Sequence, residues 1–319
     1  MEIYPVFHQI LLLLIMISAG YIGGKTTILG KGSDDVIARL VFNITLPCLL
    51  LTSITGMDMT PEIWRNGVGV ILFSAMIHGI QMLIGFSSSR ILKLSERKQV
   101  IHIIHTFKGN TIFIGFPLLD ALFPGGEGLL YAALYNFASN IIMWTIGVMF
   151  LDKSKRSSPL KNLSKLININ TISLLIGLSL LIAGVKMPDL VTGSIGRLGS
   201  ATSPLAMIFI GLKFSTIKIR DIVTDKSVWV YSFNKLIFIP IIAGAFVFMM
   251  RMIPFFNISD TASMCVLMQA STPGFAMMMI IAKIYNADTD TAAKNFFLST
   301  LLSILSLPAM YFILDVMFF

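Results

Sequence analysis

Apolar residues run along this chain in blocks of roughly twenty, separated by short polar stretches. Ten blocks can be counted, at residues 6–24, 37–57, 64–89, 99–123, 128–151, 167–185, 190–214, 227–250, 259–284 and 289–317. A helix rises about 1.5 Å per residue, so roughly 20 residues cover a hydrocarbon core of about 30 Å. The pattern therefore predicts an all-α integral membrane protein with ten transmembrane helices. The longest connection, Asp152 to Leu166, is fifteen residues, too short for a separate soluble domain.

Two blocks carry residues that a membrane helix accommodates badly. GNTIFIGFPLLD, residues 109–120, puts Gly-Asn-Thr and Gly-Phe-Pro inside the fourth run, and QASTPGFAMMM, residues 269–279, does the same in the ninth. A proline inside a helix removes a hydrogen bond and clashes with the preceding turn. Such broken backbone is tolerated at membrane depth only where it is buried in protein or lines a wet cavity. Helices 4 and 9 are therefore expected to break into half-helices that cross. Their second halves should start at Pro117 and Pro273, each turning a partially positive amino end toward a common space. The polar residues beside it are the candidate substrate-binding residues: Asn110 and Thr111 from one break, Gln269, Ser271 and Thr272 from the other. Asn136 and Asn140, four apart on the fifth run, share a helix face and could complete the wall.

The prolines also reveal a repeat. Pro47 and Pro117 are 70 residues apart, Pro204 and Pro273 are 69 apart, and one pair maps on the other by a shift of 157 or 156. Two copies of a five-helix unit are implied, residues 1–151 and 167–319, joined by a linker at 152–166. Five is odd, so the second copy enters the membrane from the opposite side, giving the inverted repeat used by many secondary transporters.

Composition agrees: 55% hydrophobic and 13% charged residues with a mean hydropathy of +0.84 exclude an ordinary soluble globule. The net charge of +8 is a topology signal and not a nucleic-acid footprint. Of the 24 Lys and Arg, eighteen fall after odd-numbered runs, while Arg65, Lys186, Arg197 and Arg251 fall after even-numbered ones. The positive-inside rule then puts odd-numbered loops in the cytoplasm and both termini outside the cell membrane. The amino terminus, MEIYPVFHQ, lacks a basic stretch, so the first run reads as a retained helix. Cys48 and Cys265 lie in apolar runs and read as packing residues.

The remaining basic residues, Lys108 and Lys235, lie inside runs. A lysine at the bilayer centre costs about 2.5–3.5 kcal/mol on insertion scales. Lys108 either serves a carboxylate beside the half-helix amino ends or snorkels to the cytoplasmic interface. Lys235 reads as structural. His102, His105 and Lys108 share a face by their spacing of three; no third metal ligand stands nearby in sequence. Carboxylates are missing between Gly109 and Pro117 and between Met264 and Lys283, which disfavours cation exchange by paired aspartates and favours an organic anion. Metal-ligand clusters, nucleophile elbows and phosphate loops are absent from the sequence pattern, so an enzyme is not expected.

The runs RLVFNITLPCLLLTSI, GNTxxxGxP, NKLIFIP, STPGFAM and YNADTDTAAKNFFLSTLLSILSLP together resemble the auxin efflux carrier family, which includes plant PIN proteins and bacterial malate and malonate permeases. The resemblance covers essentially the whole chain. It implies an architecture like that of the bile-acid symporters and sodium/proton antiporters. In it, spans 1, 2, 6 and 7 form a scaffold that dimerises through spans 2 and 7, and spans 3–5 and 8–10 form a transport domain. It also implies Pro117 and Pro273 at the crossing, Asn110 as the polar residue of span 4, and Lys235 at a basic position. The expected function is a secondary permease for small organic anions, malate or malonate before an indole-type acid, working by an elevator movement. The alternatives are a membrane-embedded sensor that does not transport and a sodium-coupled bile-acid-type symporter. No cofactor is expected, and a coupling ion could be H+ or Na+. The expected partners are the anion, the lipid bilayer and a second copy of the chain.

Overall fold

The computed structural model describes residues 3–26, 28–30, 32–151, 166–215, 222 and 225–318, with side chains from residue 11 onward. The expected linker at 152–166 lies outside the described residues apart from Leu166. Regular structure among the described residues is helical: α1 Ile3–Lys25, α2 Ser33–Thr55, α3 Pro61–Ile91, α4 Glu96–Phe107, α5 Thr111–Leu122, α6 Glu127–Leu151, α7 Ile169–Ala183, α8 Asp189–Ser215, α9 Lys226–Arg251, α10 Asp260–Ala270, α11 Met278–Ile284 and α12 Thr289–Phe318. Six of them, α2, α3, α6, α8, α9 and α12, are long and apolar enough to cross a membrane. The predicted runs at 6–24 and 167–185 are the apolar helices α1 and α7, and the runs at 99–123 and 259–284 are each divided in two.

The divisions do not fall where the prolines predict. The first lies at Lys108–Asn110, seven residues before Pro117, which sits in α5 in the first turn after a π-helical segment, Thr111–Gly115. The same device recurs: the π segments Val41–Thr45 and Asn234–Phe238 also end two residues before a proline, Pro47 and Pro240. The wider π turn absorbs the donor that proline lacks without ending the helix. At Pro47 the carbonyl left over on Phe42 is taken by the Asn170 amide of α7, at 3.0 Å. Pro273, by contrast, lies in the non-helical stretch between α10 and α11, followed at once by Gly274. The half-helices thus restart at Thr111 and Met278, not at Pro117 and Pro273.

Backbone contacts divide the chain into two compact units, each drawing on both halves of the sequence. One comprises Met1–Gly67, Ile112–Ala133 and Ile167–Ile217. Its helices approach through glycines: a Cβ on Gly20 would lie 2.3 Å from the Ile208 carbonyl oxygen, and one on Gly199 would lie 2.8 Å from the Leu49 backbone. Such contact is typical of helices in lipid, where packing substitutes for the hydrophobic effect. Lys213 of α8 pairs with Asp34 of α2 at 2.5 Å.

The other unit comprises Val68–Thr111, Leu134–Leu166 and Lys218–Phe319. Its core joins Ile101, Ile104 and Phe107 of α4, Met143 of α6, Met278 and Ile281 of α11 and Ala292 of α12, all buried. Large apolar side chains such as Leu83, Met249 and Leu305 are exposed, as on a surface covered by lipid. Both breaks, at Lys108–Asn110 and Ser271–Met277, belong to this unit.

Candidate functional site

Where α4 ends, Lys108 takes an extended backbone conformation, φ −105° and ψ 105°. The chain then crosses the second break: Gly109 and Gly274 form an antiparallel bridge, and the Asn110 N–H donates to the Pro273 carbonyl at 2.7 Å. Gly109 is required by space. A Cβ there would stand 2.2 Å from Thr272 Oγ1 and 2.9 Å from the Thr272 carbonyl oxygen. Gly274 donates its N–H to Ser299 Oγ of α12 at 2.9 Å, and Ser299 in turn donates to the Asn295 carbonyl.

A helix that stops inside the membrane leaves carbonyls without partners. Two side chains four apart on α9 supply donors to the end of α4: Tyr231 Oη to the His105 carbonyl at 3.4 Å, and Lys235 Nζ to the Thr106 carbonyl at 3.0 Å. A cation there also opposes the negative end of the helix dipole. His105 Nε2 lies 3.2 Å from the Phe275 carbonyl. His102 instead pairs with Ser88 of α3 at 2.8 Å. The three residues that share a face by spacing thus have three different surroundings, and among the described residues no group of three His, Cys, Asp or Glu could hold a metal.

Lys108 does not snorkel. It is 1% exposed, and its Nζ donates to Asn140 Oδ1 at 2.8 Å, Ser139 Oγ at 3.0 Å and Asn136 Oδ1 at 3.4 Å, all on α6. The Phe275 ring lies 5.3 Å away. Thr111 Oγ1 also donates to Asn136 Oδ1, at 2.8 Å. Ser139 further contacts His78 Nε2 of α3 at 2.9 Å. Among the described residues no carboxylate bonds to Lys108.

Three buried amides have neither end hydrogen-bonded: Asn110, 1% exposed, Gln269, 0%, and Asn295, 1%. Leaving one such group unpaired costs roughly 1–3 kcal/mol, so three in one unit mark a place built to receive polar atoms. Of the other expected site residues, Ser271 and Thr272 turn their hydroxyls back onto the end of α10, donating to the Leu267 and Gln269 carbonyls at 2.7 Å each. Pro273 takes part through its carbonyl. Pro117 belongs to the other unit.

Sequence reading missed Ser139, His78 and Asn295. Each is a polar residue inside an apolar run, which is a signal in itself because such residues are costly in a membrane. Their relation to the break appears only once α3, α6 and α12 are folded around it.

A family model described as a membrane transport protein matches residues 5–169 and 156–311. The chain is 25% identical over 310 residues to an uncharacterized transporter of Methanothermobacter thermautotrophicus, covering 94% of this chain and 96% of that protein. It is likewise 25% identical over 312 residues to an uncharacterized transporter of Methanocaldococcus jannaschii, covering 93% and 94%.

Proposed function

As a member of the auxin efflux carrier family of membrane transport proteins, to which the chain belongs, this multi-pass membrane protein is a transporter and not an enzyme, and we propose that its cargo is a small organic anion. Carboxylates such as malate or malonate are favoured, bound where the two breaks cross. The observation that carries this reading is Lys108: a fully buried cation, held by neutral oxygens alone among the described residues, in the same unit as three amides with unused donors. A carboxylate would supply the missing acceptor charge and take those donors, and charge-assisted hydrogen bonds are the strong ones. A cationic cargo would meet Lys108 and Lys235 as like charges.

The wider proposal keeps ten crossings in two inverted repeats, 1–151 and 167–319, with spans 1, 2, 6 and 7 as scaffold and spans 3–5 and 8–10 as transport domain. It also keeps odd loops in the cytoplasm, both termini outside a plasma membrane, a homodimer through spans 2 and 7, and alternating access of the elevator type. The proline spacing, the Lys and Arg asymmetry and the family resemblance support these features. For the cargo, purified protein in proteoliposomes should take up labelled malonate or malate and ignore amines and sugars of similar size. Uptake of an amine alone would reverse the reading.

A further inference from the structure

Resting on the carboxylate reading, we propose that Lys108, Ser139 and His78 form the coupling site of the transporter, a buried chain that holds one exchangeable proton and carries it together with the anion. His78 Nδ1 lies 2.6 Å from the Ser74 carbonyl oxygen. A carbonyl only accepts, so Nδ1 carries a hydrogen and Nε2 of the neutral ring is the acceptor. Ser139 Oγ, 2.9 Å away, donates to Nε2 and receives a hydrogen from Lys108 Nζ at 3.0 Å.

This chain has a second arrangement with the same heavy atoms in place. The Lys108 ammonium gives a proton to Ser139 Oγ while the Ser139 hydroxyl gives its own to His78 Nε2. The lysine is then a neutral amine whose lone pair accepts from Ser139, and the imidazolium donates from both nitrogens, to Ser74 and to Ser139. No bond between heavy atoms forms or breaks, one positive charge is present before and after, and every hydrogen along the chain keeps an acceptor. A serine between two such groups is what a proton relay requires.

The surroundings make that charge depend on the cargo. Ser139 and His78 are both fully buried. Tyr135 of α6 lies 5.2 Å from the His78 ring and Phe107 of α4 lies 6.3 Å from it. Lys235 of α9 acts on both Lys108 and His78 as a like charge. Among the described residues no carboxylate acts on either, so the excess proton has no counter-charge until an anion arrives. By linkage, whatever the anion gains from the proton, the proton gains from the anion. Sodium finds no vacancy in this cradle, because Lys108 Nζ already uses the oxygens of Asn136, Ser139 and Asn140 that would ligate it.

The test uses the full chain in proteoliposomes with labelled malonate and a luminal pH dye. Malonate entry should acidify the lumen, an outward-alkaline, inward-acid reversal of the pH gradient should stop accumulation, and a sodium gradient should have no effect. In His78→Gln, which keeps an amide donor and acceptor but cannot titrate, protons moved per malonate should fall at least about tenfold. That ratio does not depend on how much protein folds or how fast it works. Nitrogen-15 histidine spectra of ligand-free protein, assigned by the peak lost in His78→Gln, should show the Nδ1–H tautomer at His78. Malonate entry without protons, entry driven by sodium, an unchanged ratio in His78→Gln, or the opposite tautomer would each overturn the coupling and leave the carboxylate reading intact. If no carboxylate is bound or moved, both fall together.

Discussion

Between Phe107 and Thr111 the chain leaves the helix for three residues, whereas between Ala270 and Met278 it does so for seven. The longer break has enough slack to satisfy itself. Ser271 and Thr272 fold back on the end of α10, and Gln81 of α3 donates to the Ala270 carbonyl at 3.3 Å. The shorter break has no such slack. Its stranded carbonyls are met by Tyr231 and Lys235 from α9, and its lysine is met by three residues of α6. Polar side chains therefore gather around the short break, and the long one contributes mainly backbone and close packing. That difference explains why a functional site should form on one side of a crossing that looks symmetric in sequence.

The strongest way to break this comparison is at the point of contact. Gly109→Ala should lower thermal stability by about 1–3 kcal/mol through overpacking and abolish malonate binding. Gly274→Ala, whose added Cβ would meet the Tyr231 hydroxyl at 3.0 Å and Phe296 Cα at 3.1 Å, should be milder. Equal tolerance at both glycines, read by thermal unfolding, would contradict the crossing geometry.

Next come the lysines. Lys108→Met should weaken malonate binding by about tenfold to a hundredfold, as expected for a charged hydrogen bond of roughly 1.5–3 kcal/mol, and the difference from the native chain should shrink with salt. Lys235→Met should act mainly on stability, because it leaves the Thr106 carbonyl unpaired. Calorimetric titration and unfolding on the same samples separate the two, and a reversed assignment would move the site to α9.

A finer contrast compares Asn110→Ala with Ser271→Ala. Asn110 has no partner to lose, so its replacement should leave unfolding nearly unchanged while costing about tenfold or more in affinity. Ser271 has a partner within its own helix and should cost only about 0.5–1.5 kcal/mol of stability, with binding unaltered. Unchanged binding in the Asn110 variant would remove the short break from its proposed role.

The smallest effect concerns the outer end of α4. Lys98 pairs with Asp225, the cap of α9, at 3.2 Å. Burial raises the Asp225 carboxyl, but hydrogen bonds from Ser227 and the Lys98 ammonium outweigh it and hold the group below its ordinary range. Its contribution is therefore present above the unfolded-state value and lost as pH falls through the folded-state one. Asp225→Asn should flatten a shallow acid slope in the melting temperature, and a slope of the opposite sign would exclude the pair as its cause.

Much of this architecture is legible in the sequence. Hydropathy identifies the membrane class, and the Gly-Asn-Thr and Thr-Pro-Gly stretches identify the two interrupted runs that meet at Gly109 and Gly274. The position of the first interruption is not legible, because the rule that proline ends a helix ignores the π turn that lets Pro117 stay inside one. Nor is the direction of Lys108: a four-carbon stem reaches either an interface or an interior, and only the oxygens of Asn136, Ser139 and Asn140 decide between them. Asn136 and Asn140 could be named from their spacing of four. Ser139 and His78 required knowing which faces of α3 and α6 turn toward the break.

The π turns before Pro47, Pro117 and Pro240 have a consequence for how chains of this kind can change length. A π turn closes one residue later than an α turn, so each is in effect an inserted residue stored in a helix. Deleting one residue within Thr111–Gly115 should restore an ordinary turn and rotate everything beyond it by about 100°, one residue's worth of helix. Related chains that differ by a single residue at these points would then present a different helix face from the same backbone path.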